Sequence, residues 1–340
     1  MARARVGARV GRRGAASSRV VRVVVSAALL LAAGAGGATA QAPHVEHVGT
    51  IPGSATVLAV AGDLLLAGTR NEVRILDVSQ PGAAMEAGRY AFEQPVLDIA
   101  VGKRDERVVY VANSHDGLRR LDLSDPAAPA VSGTVATRGQ AVGVAVSSDH
   151  AYVGDNSLGF DTVELAGGMR RVGEYLGDGF PRDIAAAGTL VFVADQPAGL
   201  LAVDVSDPAS PSLMGRLSLG REPVTGVAVP DARSWDAEPP PLVAIASATT
   251  GLQVVDVSDP AAPVVAASVA PAGRFSGVAM WADRLYVAGD GILQVFDLSA
   301  PGPPALIAEG DLGGEAGAVA VGGEHVFAAT ADGIRIFRRR

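Results

Sequence analysis

Asp98 and Asp183 stand in the same three-residue string, D-I-A, within the apolar runs P-V-L-D-I-A-V at 95–101 and P-R-D-I-A-A-A at 181–187. A carboxylate in such a run can move a proton, hold a ligand or cation, or accept backbone N–H groups. The expectation here is the last, with a neighbouring strand as donor. A ligand or cation site is the alternative. Four arginines, Arg138, Arg182, Arg221 and Arg274, occupy loops that precede such runs, and could gather around an anionic group. His115, Asp116 and Asp195 lie in a second set of loops that would face the same mouth. The plainer reading of these charges is a solvated rim. No G-x-S-x-G, H-E-x-x-H, P-loop or S-x-x-K signature accompanies them, so no catalytic residue is assigned. His44 and His47 flank Glu46, but residues three apart on a strand point to opposite faces, so neither a metal nor a cofactor is expected. With no cysteine in the chain, thiol catalysis and disulfides are excluded.

The elements that position these residues repeat. A phrase of the form aliphatic-Ala-aliphatic recurs at Ala59, Ala100, Ala145, Ala185, Ala228, Ala279 and Ala320, in steps of 41, 45, 40, 43, 51 and 41 residues. A second phrase keeps the same phase through Asp77, Asp122, Asp204, Asp256 and Asp297, with Glu164 and Arg338 in that slot of the third and seventh units. Each unit holds four short extended runs. In the fifth these are V-T-G-V-A-V at 224–229, L-V-A-I-A at 242–246, G-L-Q-V-V-D-V at 251–257 and V-V-A-A-S-V at 264–269. Four strands per repeat of this length predict an all-β, seven-bladed β-propeller with four-stranded blades.

Two details support that architecture. Before each marker alanine stands a bulky residue (Leu58, Ile99, Val144, Ile184, Val227, Val278, Val319). Two before it the residue is mostly small: Val57, Asp98, Gly143, Asp183, Gly226, Gly277, Ala318. Alternate residues face opposite ways, so each first strand has a bulky and a slim face, as wedge-to-wedge packing requires. The phrase D-V-S-D-P-A-A-P supplies Asp to bond turn N–H groups and Pro to preset φ. Metal binding by these aspartates is disfavoured, because no D-x-D-x-D-G loop is present. The seventh unit ends after G-I-R-I-F without a fourth strand. H-V-E-H-V-G-T-I at 44–51 carries Gly49, like Gly88, Gly133, Gly173 and Gly215 in fourth strands, and is expected to close the ring by pairing with the last blade.

The strings V-A-V…A-Y-V-G-D, G-L-Q-V-V-D-V-S-D-P and V-Y-V-A-N-S resemble LVIVD-repeat propellers, a family of exported or surface proteins of bacteria and archaea. YVTN and NHL propellers are similar neighbours. The resemblance spans residues 44–340, weakens at F-D-T-V-E-L in blade three, and implies a propeller without an assigned activity.

The first forty residues differ from the rest. Seven arginines and no acid precede V-V-V-S-A-A-L-L-L-A-A at 23–33, and A-T-A ends at Ala40. This is the layout of a signal peptide over 1–40, with the propeller over 41–340. An uncleaved anchor is the alternative, although the apolar core is short for a span. Arg12-Arg13 is a weak match to twin-arginine export. Cleavage would leave 21 basic and 36 acidic residues, a net charge of -15, which disfavours nucleic acid as a partner. The expected function is therefore a secreted, periplasmic or cell-surface scaffold that binds a protein or glycan partner, monomeric and without a membrane span. The alternative is a hydrolase or lyase using an acidic channel mouth. P-D-A-R-S-W-D-A-E-P-P-P at 230–241 lengthens blade five and exposes Trp235 as a possible docking point.

Overall fold

Every second strand is a run of β-branched, aromatic and small apolar residues, buried over nearly its whole length; V-V-Y-V-A at Val108–Ala112 is buried throughout. Such a strand needs a partner on each edge and a sheet on each face. In the computed structural model both demands are met by a propeller. The structure describes residues 44–156, 159–220, 224–230, 241–247, 251–269, 275–300 and 302–339. The expected signal peptide over 1–40 lies outside them, as do residues 231–240 of the blade-five insertion, Trp235 included.

Among the described residues, twenty-eight strands form seven antiparallel four-stranded sheets. Blade 1 runs from Val57 to Ala91, blade 2 from Asp98 to Val135, and blade 3 from Ala141 to Leu176. Blade 4 spans Phe180 to Leu217, blade 5 Val224 to Val269, and blade 6 Phe275 to Asp311. Blade 7 takes three strands from Ala316 to Arg338, and its fourth is His47–Pro52 from the other end of the sequence. The hydrophobic core is divided accordingly into seven clusters, one at each seam between blades. At the seam of blades 1 and 2, Leu66 and Ile75 meet Val109, Val111 and Leu121. Each fully buried aliphatic side chain contributes about 1.5–3 kcal/mol, so the seams hold most of the apolar stabilisation.

The repeated phrase has a second use beyond its turn. Asp77, Asp122, Asp204, Asp256 and Asp297 each accept the N–H of the serine two residues on, at 2.8–2.9 Å. Asp125, Asp207 and Asp259 accept a second N–H each at 3.1 Å. The turn so fixed then rests on the fourth strand of the preceding blade. A methyl group at Gly88, Gly173 or Gly215 would run into the carbonyl oxygen of Pro126, Pro208 or Pro260 respectively. Glycine is used there because backbone meets backbone across the seam. A β-bulge is present in each outer pair, beside this glycine in five blades and beside Ala267 and Ala308 in blades 5 and 6, and bends the strand.

The ring closes in the same way. His47–Pro52 pairs antiparallel with Gly333–Arg338, placing Thr50 opposite Arg335 and Ile51 opposite Ile334. Upstream, the Val45 N–H donates to the Glu309 carbonyl of blade 6 at 2.8 Å. Downstream, a methyl at Gly49 would come within 2.6 Å of the Pro81 oxygen in blade 1. One short segment therefore touches blades 6, 7 and 1, with Val45 and Ile51 buried.

Candidate functional site

The inner strand of each blade has one edge bonded to the second strand and one edge turned to the axis. Its outward N–H groups must find another acceptor. Asp98 supplies one: its Oδ1 accepts the N–H of Ile99 at 2.8 Å, and its Oδ2 the N–H of Val144 in blade 3 at 2.8 Å. Asp183 repeats the arrangement between blades 4 and 5, accepting from Ile184 at 2.8 Å and Val227 at 2.9 Å. Gly226 leaves room for this, since a methyl there would sit 3.3 Å from Asp183 Oδ2. Both aspartates thus strap one inner strand to the next, the use expected from their setting.

The charge this creates is costly. Burial pushes the Asp98 carboxyl up to about 6, against the N–H bonds that favour its ionised form. Burial pushes Asp183 to about 7, and the negative charge of Asp98 adds to the rise. Beyond them runs a channel of about 500 Å³, walled by all seven inner strands. All seven marker alanines line it. Their small size keeps the bore open, which explains why this phrase is so constant along the chain. The channel opens toward the hairpins joining first and second strands, where Lys103, Ser147, Ser148, Asp149 and His150 stand at its lip. That is the end opposite the loops on which the arginine and acidic candidates were placed.

Those candidates are largely occupied by structure. Arg138 turns away from the axis: its N–H and Nε reach Asp161 at 3.1 Å each, and Nε lies 3.2 Å from Glu174. Asp161 is fully buried and also receives Arg171 Nη1 at 3.4 Å. Arg182 Nε donates to Gln196 Oε1 at 3.1 Å on the exposed rim. Asp116 pairs with Arg119 at 2.9 Å, and His115 is exposed beside it. Asp195 lies one residue before the end of the second strand of blade 4 rather than in a loop. It is buried; the Ala198 N–H favours its charged form, yet neither oxygen has a donor in bonding geometry, and burial raises its pKa. The matching Asp155 accepts the Gly139 N–H at 2.7 Å, and Asn113 donates to the Gln94 oxygen at 2.7 Å. This position therefore ties the loops entering blades 2 and 3. Arg221 and Arg274 lie outside the described residues. Among the described residues, no group of three or more His, Asp or Glu could hold a metal, and no helix is long and apolar enough to cross a membrane.

The LVIVD repeat pattern matches residues 52–91, 106–137, 138–163, 178–218, 243–270 and 272–310. The chain belongs to the LVIVD-repeat family. The six matches fall on blades 1 to 6 of this LVIVD propeller, and blade 7, split between the two ends of the sequence, has none. Among solved structures, a computationally designed protein named Ika8 is similar over 87% of this chain and 99% of its own, with 10% identity and a TM-score of 0.60. At that identity the likeness concerns the fold alone. No curated protein sequence matches this LVIVD propeller.

Proposed function

We propose that this LVIVD propeller is an exported, non-enzymatic scaffold that presents its loops to a protein or glycan partner in the cell envelope or outside the cell. The observation that carries this reading is the commitment of Asp98 and Asp183. All four of their oxygens accept backbone N–H groups, so the carboxylates nearest the axis hold blades together. A general base must aim a lone pair at the proton it takes, and each of these oxygens already spends one of its two on a backbone N–H within the seam. The basic, then apolar, then A-T-A pattern of the first forty residues supports export. The acidic balance of residues 41–340 disfavours nucleic acid, and a closed ring is compatible with a monomer. A hydrolase or lyase remains the competing reading, and the raised carboxyl pKa values are what favours it.

One double variant, Asp98→Asn with Asp183→Asn, separates the two. The purified chain 41–340 and its variant are passed over envelope extract and bound material is identified by mass spectrometry. The scaffold reading expects both to capture the same partner. Loss of capture in the variant, together with loss of a turnover that the parent shows, contradicts it. The same pair has a pH signature. Because both folded pKa values lie above the unfolded one, the folded state binds more protons between about pH 4 and pH 7. The contribution is present at low pH and is lost as pH rises through the folded values. The parent should therefore lose stability from about pH 4 to pH 7, and the variant's melting profile should be flatter there.

A further inference from the structure

One position breaks the repeat inside the core. Facing the middle of each second strand, the third strands carry Ile75, Thr162, Ala202, Val254, Val295 and Ile336 in six blades, all buried. In blade 2 the residue is Arg120, opposite Tyr110. It lies on the face that meets blade 3, two residues from Leu118 of that seam's cluster. Its Nε is buried without a hydrogen-bond partner. A guanidinium cannot shed its charge, so it calls for an acceptor.

A cavity of about 180 Å³ lies in front of it, between blades 2 and 3. Lys103, Ser148, Tyr110, Asp105 and Asp149 share its wall with Arg120. Lys103 is the only lysine among the chain's 28 basic residues, and it stands where this cavity meets the lip of the central channel. Three cations, Arg120, Lys103 and the Asp149-paired Arg104, thus line the cavity beside a hydroxyl, a donor set suited to a tetrahedral oxyanion rather than a flat carboxylate. Asp149 is paired with Arg104 at 2.6 Å, so Asp105 is the carboxylate that selects further: it repels a fully ionised anion but accepts the O–H of a hydrogenphosphate. The chain's net negative charge acts from a distance through solvent and is screened, whereas Arg120 acts at contact in a partly buried site.

We propose that the cavity between blades 2 and 3 binds a hydrogenphosphate group, free or on a small monoester, with Arg120 as its principal contact and Lys103 at the entrance. Scanning calorimetry on the chain 41–340 tests this with inorganic phosphate, glycerol phosphate, sulfate and chloride at matched ionic strength. At about ten times the dissociation constant, phosphate should raise the melting temperature by about 3–6 °C over chloride. Arg120→Ile restores the residue of the matching slot in blade 1. It should melt no lower than the parent without phosphate, and show no phosphate response. If that variant fails to fold, Arg120→Gln is read the same way. A larger response to glycerol phosphate identifies the ester as the ligand, and a smaller one the free ion. The proposal is overturned if chloride or sulfate stabilises as well as phosphate, or if the Arg120 variants keep the response.

Discussion

A chain that begins at Gly53 melts about 10 °C or more below one that begins at Gln41. The shorter chain lacks the fourth strand of blade 7 and the bond from Val45 to Glu309. It loses the burial of Val45 and Ile51, and uncovers Ile334, Ile336 and Phe337 of the adjoining strand. At about 1.5–3 kcal/mol for each buried aliphatic or aromatic side chain, the loss is about 5 kcal/mol or more. For a chain of this size each kcal/mol is worth about 2–4 °C. The seam also changes character, because blade 7 is left with an open, apolar edge of the kind that pairs with other chains. Light scattering during the melt should therefore rise earlier in the shorter protein.

Gly173→Ala is the second large effect. The added methyl points at the Pro208 carbonyl of blade 4, a backbone atom held by the turn that Asp204 and Asp207 fix. Neither partner can yield by changing a rotamer, so the outer halves of blades 3 and 4 must separate. The cost is about 2–3 kcal/mol, in the range for overpacked interiors, or a fall of about 4–12 °C. Gly314→Ala is the control: a methyl there meets nothing within 4 Å, and its melting temperature should match the parent's. Equal melting of the two variants would show that the turn does not bear on the neighbouring blade.

The periods of the marker alanine and of the turn aspartate made blade number and strand count readable, since both are local patterns. The closing strand was readable because Gly49 shares a feature with other fourth strands. What joins one blade to the next was not. The sequence displays Gly173 and Pro208 in different repeats, and only the folded ring brings them together. Blade 6 has Ala308 in this slot and no such turn follows it, because blade 7 receives its fourth strand from the other end of the sequence; blade 5 has Ala267 there. At the axis, Asp98 and Asp183 were legible as acceptors from their apolar surroundings, and Val144 and Val227 are the donors. Arg138 was placed on the mouth because loop membership says nothing about side-chain direction; Asp161, buried in the third strand, draws it outward. Arg120 had a signal that aligning the seven third strands would have exposed, a lone cation in a column of apolar residues and one threonine.

The closure of the ring by a strand from the opposite end is tested most directly by a disulfide across that seam. Thr50 and Arg335 are directly paired there, and side chains so placed are close enough for the bond. With no cysteine in the natural chain, Thr50→Cys with Arg335→Cys leaves a single possible bridge. The predicted result is near-complete oxidation in the folded state and a melting temperature several degrees above that of the reduced form, from a stabilisation of about 2–4 kcal/mol. Thiols that stay free in the folded protein under mild oxidant, or a bridge that lowers the melting temperature, would contradict it.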